Sequence, residues 1–542
     1  MISRLRRGQN AFSCQKPARL IRFRSSLVGS NLAILLLLLI TACQPGSLEP
    51  PRAATSTAQA ALGPTHTPTP LNSSAPTATP GGSGDPAIID TPAPNDLAEE
   101  LTLWVTVSTE SEMEALEEGV GEFTSETGIQ IELVQVAPRL LPELMQTALI
   151  SGTLPDLVLH PLDYTHGWYE QGILDAGAAT TVLDSLGRGT FEPGALAQLE
   201  VGNQSGTVAA LPSSGWQQLL LYRTDWFNER QLSPPDSFEK LAAAAEAIHE
   251  EDSPVSGLIV PTDSSLVSTQ QVFEHMAIAN GCRLVSPEGE IALLDPACLE
   301  ALEFYRALVN AYSPIGLQTD ISALNGYLSG RTGIIIAPPA VLPAIANLSD
   351  LAAPSCPECT APDFLSRNTG IVSNLQGQGE SALPANFSTV TALGITSAAN
   401  KPAASAFSEY WFETLYPDWI LLNPAQKVPM RRGTNSDPSL FTELWTEAPL
   451  VPDGATVADI FGPDSIESLS MELAEAERWG LARGQGALVS TLYEDLLFAP
   501  LLQDMLSGYF SSSETIVEMY LSAVDAMPGY NFPVQVAPSP TP

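Results

Sequence analysis

The stretch GTVAALPSSGWQQLLLYRTDWFNERQLSPPDSFEKLAAAAEAI, residues 206–248, decides the fold of this chain. An apolar run that ends at Leu211 and Pro212 predicts one strand, and a second apolar run at 219–222 predicts another. The intervening residues 213–217 are mostly small or polar, which indicates a crossing segment. We therefore expect the chain to leave one lobe here and to enter a second.

A helix is predicted directly after this crossing, from about Asp236 onwards. Asp236 and Glu239 have the spacing of a capping box, and two prolines precede them. Apolar residues then recur at helical spacing, at Phe238, Leu241, Ala245 and Ile248.

The body of the chain opens with alternating strands and helices. Residues 101–107 alternate as a strand does, and a capping box formed by Thr109 and Glu112 begins the helix that follows. Further strands are predicted at 129–136 and 157–160, with a helix between them. This βαβαβ order predicts an α/β fold with a parallel sheet and right-handed crossovers, in which ligands bind beyond the carboxyl ends of the strands.

The order of these sequence motifs resembles that of the extracellular solute-binding proteins of ABC importers, family 1, which include receptors for maltose and other sugars. The resemblance includes the order of the 206–248 stretch and covers most of residues 98–430, with later matches at 325–336 and 389–415. Earlier matching motifs are Glu122-Phe123, Thr127-Gly128, Ser151-Gly152, Leu154-Pro155-Asp156 and Gly172-Ile173-Leu174.

The chain also departs from the family pattern. Arg223 follows Tyr222 where the family usually has Asn, and Tyr327 and Leu328 stand where Phe is commoner. Residues 349–379 and 437–486 match poorly, so they could reshape the cleft.

The resemblance implies a two-lobed fold of the periplasmic-binding-protein type II, with hinge crossings and a ligand cleft between the lobes. It also implies a function: capture of a sugar or oligosaccharide by hinge closure and delivery to permease and ATPase subunits that are separate chains. We expect a monomer without a cofactor. A surface lipoprotein that binds polysaccharide or another cell, uncoupled from transport, would share these features and stays open as an alternative.

The termini differ in composition from the body. Residues 1–42 carry a basic, acid-free head and an apolar run too short to span a membrane comfortably, as an export signal does. Leu39-Ile40-Thr41-Ala42-Cys43 resembles a bacterial lipobox, which implies lipidation of Cys43 and attachment to the outer face of the cell membrane. Residues 43–97 and 528–542 are rich in proline and small polar residues, so we predict a disordered tether and tail.

Between these segments we predict two lobes, each with its own core. The first lobe comprises residues 98–211 and 390–422, and the second comprises 212–389 and 423–527. The chain passes between them near Pro212 and Phe387.

The chain is strongly acidic, with a formal net charge of -38. Seven of its 23 basic residues lie in the first 42 residues, where there is no acid, so the exported part is more acidic still. Such a field disfavours binding to nucleic acid or to anionic lipid.

Four cysteines remain in the exported body, where the compartment is oxidising. Short local loops favour two disulfides, Cys282 with Cys298 and Cys356 with Cys359. The Cys-Pro-Glu-Cys motif could instead be a redox motif or half of a zinc site.

The predicted ligand-binding residues follow the strands and the crossings. A sugar needs an aromatic face and fixed hydrogen-bonding groups, and the family places its contacts at these same loops. We predict contacts from Ser108, Thr109, His160, Asp163, Tyr164, Trp216, Phe387 and Arg431.

Several of these residues have other interpretations. Trp216 could pack between the lobes, and Asp163 could cap the helix that follows it. His160 and His166, with Asp163 between them, could also bind a metal, although we predict none. The chain has no GxSxG, HExxH or GxxxxGK[ST] motif, so we do not expect an enzyme.

The lipid anchor is testable by replacing the thiol that would carry it. We expect Cys43→Ala to leave the chain unprocessed or released, because lipidation requires the cysteine sulfur. Cell fractionation with and without detergent, together with the length of the chain on a denaturing gel, measures this outcome. A chain of processed length that still needs detergent for release from the membrane would contradict the prediction.

Overall fold

The computed structural model describes residues 100–106, 109–202, 206–349, 352–451, 454–470, 478–481 and 485–527. The predicted signal, Cys43, the tether and the tail lie outside the described residues, as does Ser108. Among the described residues, no helix is both long enough and apolar enough to cross a lipid bilayer.

Ten strands form two sheets within the described residues. In chain order the strands are β1 (Glu100–Val105), β2 (Gln130–Gln135), β3 (Leu157–Pro161), β4 (Leu211–Gln217), β5 (Leu219–Arg223), β6 (Ser256–Ile259), β7 (Thr332–Ala337), β8 (Thr369–Val372), β9 (Ser388–Ile395) and β10 (Val428–Pro429). The first sheet has the order β10-β4-β9-β3-β1-β2, and the second has the order β6-β7-β5-β8. The molecule is therefore an α/β protein with two lobes, each built on one sheet.

Helices connect and cover these strands. In chain order they are α1 (Glu110–Thr127), α2 (Leu141–Ser151), α3 (Leu162–Glu170), α4 (Ala176–Leu186), α5 (Pro193–Leu199), α6 (Thr224–Arg230), α7 (Phe238–Ile248), α8 (Val267–Ala279), α9 (Pro296–Tyr312), α10 (Asp320–Leu328), α11 (Leu342–Ile345), α12 (Phe364–Arg367), α13 (Lys401–Tyr410), α14 (Tyr416–Leu421), α15 (Leu440–Thr446), α16 (Val457–Phe461), α17 (Asp464–Leu469), α18 (Gly486–Glu494), α19 (Ala499–Ser507) and α20 (Ser512–Asp525). Short 3-10 turns lie at Pro138–Leu140, Arg188–Thr190 and Pro339–Val341, and a π-helical turn at Trp411–Leu415 joins α13 to α14.

The opening of the first lobe follows the predicted βαβαβ order. The Thr109 side chain accepts a hydrogen bond from the Glu112 N–H, and Glu112 bonds back to the Thr109 N–H, so this capping box is confirmed. β1 pairs in parallel with β2 and β3. The sheet is nevertheless mixed, because β9 runs antiparallel to both β3 and β4. The predicted parallel pairing of the βαβαβ opening is therefore confirmed, and the antiparallel pairs arise because the returning strand inserts between β3 and β4.

The predicted crossing at 213–217 is instead part of strand β4. Its residues pair with β9 as far as Gln217 and Ser388, and a register shift after Pro212 lets the strand continue past the proline. The chain passes to the second sheet at Gln218, whose N–H donates to the Phe387 carbonyl at 2.8 Å. The two connections between the sheets therefore run side by side.

Helix α7 begins at Phe238, and its N-cap lies one residue later than the sequence indicated. Its N-cap is Ser237, whose hydroxyl accepts from the Lys240 N–H, and the predicted capping box at Asp236 was wrong. Asp236 instead forms an ion pair with Lys240, its carboxylate lying 2.6 Å from the Lys240 Nζ. The predicted apolar face of the helix is buried.

The C-terminal helices contact both lobes. Helix α18 packs closely on α3 of the first lobe, whereas α19 and α20 pack on α8 and α9 of the second. Glycine permits the first of these contacts, because a Cβ added at Gly486 would lie 2.1 Å from the His166 ring. The Gly167 N–H donates to the Ser490 hydroxyl at 2.9 Å.

The structure contains two disulfides, Cys282–Cys298 and Cys356–Cys359. The second closes a loop whose Glu358 carboxylate lies 3.7 Å from the buried guanidinium of Arg223.

The contact between β6 and α7 provides a test of this packing. A Cβ at the buried Gly257 would lie 2.2 Å from the Ala245 carbonyl oxygen. We expect Gly257→Ala to lower the free energy of unfolding by about 1–3 kcal/mol, because backbone must move to admit the methyl group. Thermal or urea unfolding measures the change.

Gly121→Ala is the matched control, because a Cβ at Gly121 in α1 would meet nothing within 4 Å. Alanine should be neutral or stabilising in this helix. An unchanged stability of Gly257→Ala would contradict the close approach of strand and helix.

Candidate functional site

A cavity of about 540 Å³ lies between the two sheets. The first lobe contributes residues that follow β3 and residues of β4 and β9, and the second contributes the end of β7 and the start of α8. Its lining includes Thr106, Pro138, Arg139, Leu141, Pro142, Pro161, Asp163, Tyr164, Trp216, Gln218, Ser265, Leu266, Val267, Ser268, Gln271, Val272, Asp320, Ile336, Ala337, Pro338, Thr389, Thr391, Gln426, Tyr493, Glu494 and Leu496. We call this cavity the cleft.

Two aromatic side chains give the cleft its apolar faces. Trp216 is half-buried, and its ring centroid lies 6.4 Å from that of Phe387. Tyr164 is buried, with its ring centroid 5.5 Å from that of Trp168. Phe387 and Trp168 are not among the lining residues. Phe387 therefore packs behind the Trp216 ring, and Trp168 packs behind the Tyr164 ring.

Strand alternation explains why Trp216 and Gln218 both line the cleft. Successive side chains of a strand point to opposite faces, so Gln217 lies on the other side. There its amide nitrogen donates to the Ser468 carbonyl at 2.5 Å, and its amide oxygen accepts from Asn386 at 3.1 Å.

Asp163 lies at the base of the cleft in a buried charge network. Its carboxylate accepts a hydrogen bond from the Arg478 guanidinium at 2.5 Å, and both side chains are almost fully buried. The N-cap of α3 is Pro161, and no side chain caps the helix. Asp163 is therefore an ion-pair partner rather than a helix cap.

Arg478 also binds the second lobe and a crossing strand. Its Nε donates to the Glu274 carboxylate of α8 at 2.8 Å, and its Nη1 donates to the Ser388 carbonyl of β9 at 3.1 Å. The Tyr493 hydroxyl of α18 donates to the other Glu274 oxygen at 2.5 Å. Although burial opposes the charge, Glu274 and Asp163 raise the pKa of Arg478 well above its usual value. The network therefore carries charge and connects the two lobes.

A buried histidine holds Gln218 at the crossing. His275 Nδ1 lies 3.1 Å from the Gln218 amide oxygen, and its Nε2 lies 3.2 Å from the Ala385 carbonyl oxygen. Burial lowers the pKa of His275 to about 4. At neutral pH it is an uncharged imidazole that orients a polar group of the cleft.

Glu494 is the last residue of α18 and lines the cleft beside the aromatic residues of α3. Burial raises the pKa of Glu494 to about 7, an effect that Asp495 increases and the indole N–H of Trp168 opposes. Its Oε1 is buried and has no hydrogen-bond partner of good geometry among the described residues.

The structure places three of the predicted site residues, Asp163, Tyr164 and Trp216, together on the cleft. His160 is fully buried beneath it, with Nδ1 3.0 Å from the Pro161 carbonyl oxygen, and burial lowers its pKa to about 4. Thr109 caps α1 at the surface and does not line the cleft.

Phe387 and Arg431 lie away from the cleft lining. Phe387 is fully buried, and the Arg478 guanidinium lies 4.3 Å from its ring centroid. Arg431 is buried and donates to the Phe412 carbonyl at 2.7 Å and the Leu186 carbonyl at 3.2 Å. Its donors stabilise the first lobe, so this placement does not support a direct ligand contact.

His160 and His166 do not form the metal site that the sequence left open. His166 Nε2 lies 2.7 Å from the Gln198 carbonyl oxygen, in a separate hydrogen bond from that of His160. In the described part of the chain, no group of three or more His, Cys, Asp or Glu residues is arranged to hold a metal ion.

Sequence reasoning missed Arg478, Glu274, Gln218 and Glu494. Arg478 is 315 residues from Asp163, in the stretch that matches the family poorly, so no local pattern indicated it. The adjacent Glu274 and His275 in an apolar helical stretch were a usable signal, because buried polar and charged groups in such a helix require partners.

The raised pKa of Glu494 predicts a pH-dependent stability. The folded chain holds this proton more tightly than the unfolded chain, so the stabilisation is complete below about pH 4.5 and is lost as the pH rises through about 7. We expect Glu494→Gln to be more stable than the wild type by about 1–2 kcal/mol at pH 8 and nearly equal at pH 5. Thermal unfolding at both pH values measures this difference, and an equal difference at both would contradict it.

Comparison with known proteins agrees with this geometry. Residues 120–414, more than half of the chain, match the family described as bacterial extracellular solute-binding protein. The Escherichia coli protein YcjN, whose name describes a periplasmic-binding protein of an ABC transporter, is 24% identical over 307 residues, which cover 56% of this chain and 67% of YcjN.

Solved structures share the fold at low identity. The GacH receptor of Streptomyces glaucescens, solved with and without acarbose, is 18% identical with a TM-score of 0.59, over 80% of this chain and 99% of GacH. A Thermotoga lettingae solute-binding protein with bound α-D-tagatose is 20% identical with a TM-score of 0.59, over 79% of this chain and 99% of that chain. Maltose-bound MalE3 of T. maritima is 16% identical with a TM-score of 0.58, over 79% of this chain and all of MalE3.

The resemblance in the sequence and the expected two-lobed fold are thus confirmed, and the family is one of binding proteins rather than enzymes. The chain belongs to the bacterial extracellular solute-binding proteins.

Proposed function

We propose that the chain is the substrate-binding lipoprotein of an ABC importer, which captures a sugar or oligosaccharide in the cleft and delivers it to a permease. The observation that carries this proposal is the cleft between the lobes, where Trp216 and Tyr164 offer ring faces beside the polar groups of Asp163 and Gln218. Aromatic rings suit the C–H faces of a sugar, and fixed polar groups suit its hydroxyls. The sugar ligands of GacH and MalE3 support the same ligand class.

The paired connections between the sheets support a hinge. Because β4 and β9 leave the first sheet side by side, a small backbone rotation near Gln218 and Phe387 would move the lobes together. Ligand would favour the closed form only by its greater affinity for that form. The closed receptor then docks on the permease, while the lipid at Cys43 keeps the body near the membrane.

The predicted limits assign residues 98–211 and 390–422 to the first lobe and 212–389 and 423–527 to the second. We keep them in this proposal except where the first sheet requires a shift, because residues 212–217 of β4, 388–389 of β9 and 428–429 of β10 pair within that sheet. Residues 43–97 form the tether between the anchor and the body.

A panel of sugars tests the ligand class. The chain from residue 97 should gain about 2.7 kcal/mol in stability at a hundredfold excess of a true ligand over its Kd. Trp216→Ala should weaken binding of that sugar by about 1–3 kcal/mol and leave the fold intact, because a stacking face is lost. Thermal shift and calorimetry measure both effects.

Tyr509→Ala is the matched control, because Tyr509 is exposed and is not among the residues that line the cleft. It should bind the sugar as the wild type does. Unchanged affinity of Trp216→Ala would remove this residue from the site, and hydrolysis of the sugar would favour an enzyme. Normal sugar uptake in cells that lack the chain would favour the uncoupled surface lipoprotein.

A further inference from the structure

Two carboxylates border the aromatic faces of the cleft, and they differ in how their charge is balanced. Asp163 is paired with Arg478 at 2.5 Å. Glu494 takes part in no ion pair within the described residues, and its Oε1 is buried without a hydrogen-bond partner of good geometry there. Arg478 therefore balances the charge of Asp163, whereas Glu494 has beside it the neutral indole N–H of Trp168 and no cation among the described residues.

Glu494 lines the cleft where α18 meets α3. A Cβ added at Gly167, in the second half of α3, would lie 3.8 Å from its Oε1, so this oxygen packs against that helix. Burial raises the pKa of the Tyr164 phenol, and the charges of Asp163 and Glu494 raise it further, so Tyr164 lies in the field of both carboxylates. Glu494 thus shares one part of the cleft with an aromatic face.

The remaining charges of the lining do not balance Glu494. Asp320 of the second lobe is also acidic, and it accepts a hydrogen bond from Ser268 at 2.9 Å. Arg139 is the basic residue among the described lining residues, and it is exposed to solvent, which screens its charge. The cleft therefore has an excess of negative charge.

A buried carboxylate without a partner is costly, and a ligand that donates a hydrogen bond or a positive charge relieves that cost. An ammonium group does both, and the neighbouring aromatic rings attract it further. A carboxylate on the ligand would instead add to the repulsion.

We propose that Glu494 is a specificity-determining residue that accepts a hydrogen bond from an ammonium group of the solute, so that the cleft prefers amino sugars over neutral sugars and rejects acidic sugars. This inference rests on the proposed function and names the class of sugar.

The test compares matched sugars that differ in charge. Calorimetry of the exported chain, held in detergent with its anchor, is carried out with glucosamine, glucose and glucuronic acid and with the β-1,4-linked disaccharide of each. The aminated sugar should bind about tenfold or more tightly than the neutral one, and the acidic sugar should not bind measurably, because hydrogen bonds to charged groups are the stronger ones. Glu494→Gln should reduce the ratio of the affinities for the aminated and the neutral sugar to about twofold or less.

Asp495→Asn is the matched control, since it removes a charge from the next residue, which is exposed and does not line the cleft. It should keep the preference. Thermal unfolding of each variant shows that the fold is intact.

Equal binding of the aminated and neutral sugars, measurable binding of the acidic sugar, or a preference that survives in Glu494→Gln would overturn the inference. An equal loss of preference in Asp495→Asn would show that the preference for the aminated sugar arises from the overall negative charge near the cleft. That result would also overturn the inference. If a neutral sugar stabilises the chain but no aminated sugar does, the inference fails and the proposed function stands. If no sugar of any class stabilises the chain, the proposed function itself fails.

Discussion

The buried guanidinium of Arg478 joins the parts of the chain that form the cleft. It binds Asp163 in the first lobe, Glu274 in the second, and the Ser388 carbonyl where β9 begins. Removing these charges from water is expensive, and their attraction offsets the cost only when every partner is present. The positions of α3, α8 and the crossing strand are therefore mutually dependent. The base of the cleft is a shared feature of both lobes, although each lobe has its own sheet.

The charge of Arg478 also distinguishes the two carboxylates of the cleft, Asp163 and Glu494. Asp163 is paired with the Arg478 guanidinium, whereas burial raises the pKa of Glu494, which has no cation beside it among the described residues, to about 7. A carboxylate that is already paired with a cation of the protein, such as Asp163, helps to fix the shape of the site. A carboxylate without a cation, such as Glu494, can interact with the solute and discriminate between solutes of different charge.

Packing behind the cleft is as specific as its lining. Trp216 and Tyr164 face the solute space, and Phe387 and Trp168 support them. His275 orients Gln218, which lies where the chain passes from one sheet to the other. The close contact of α18 with α3 brings Glu494 to the cleft, and it depends on Gly486 in the second helix. Residues far apart in sequence thus act on one space of about 540 Å³.

The sequence by itself determined the α/β class, the capping box at Thr109, the resemblance to solute-binding proteins, and the meeting of Asp163, Tyr164 and Trp216. These follow from local periodicity and from loops at the carboxyl ends of strands, which are properties of neighbouring residues. Tertiary structure decided the rest. Pairing with β9 extended β4 beyond Pro212, because the partner strand supplied hydrogen bonds that no local pattern reveals. Long-range packing likewise brought Arg478 and Glu494 to the cleft and turned Arg431 inward, because the burial and charge of a side chain depend on which distant segments surround it.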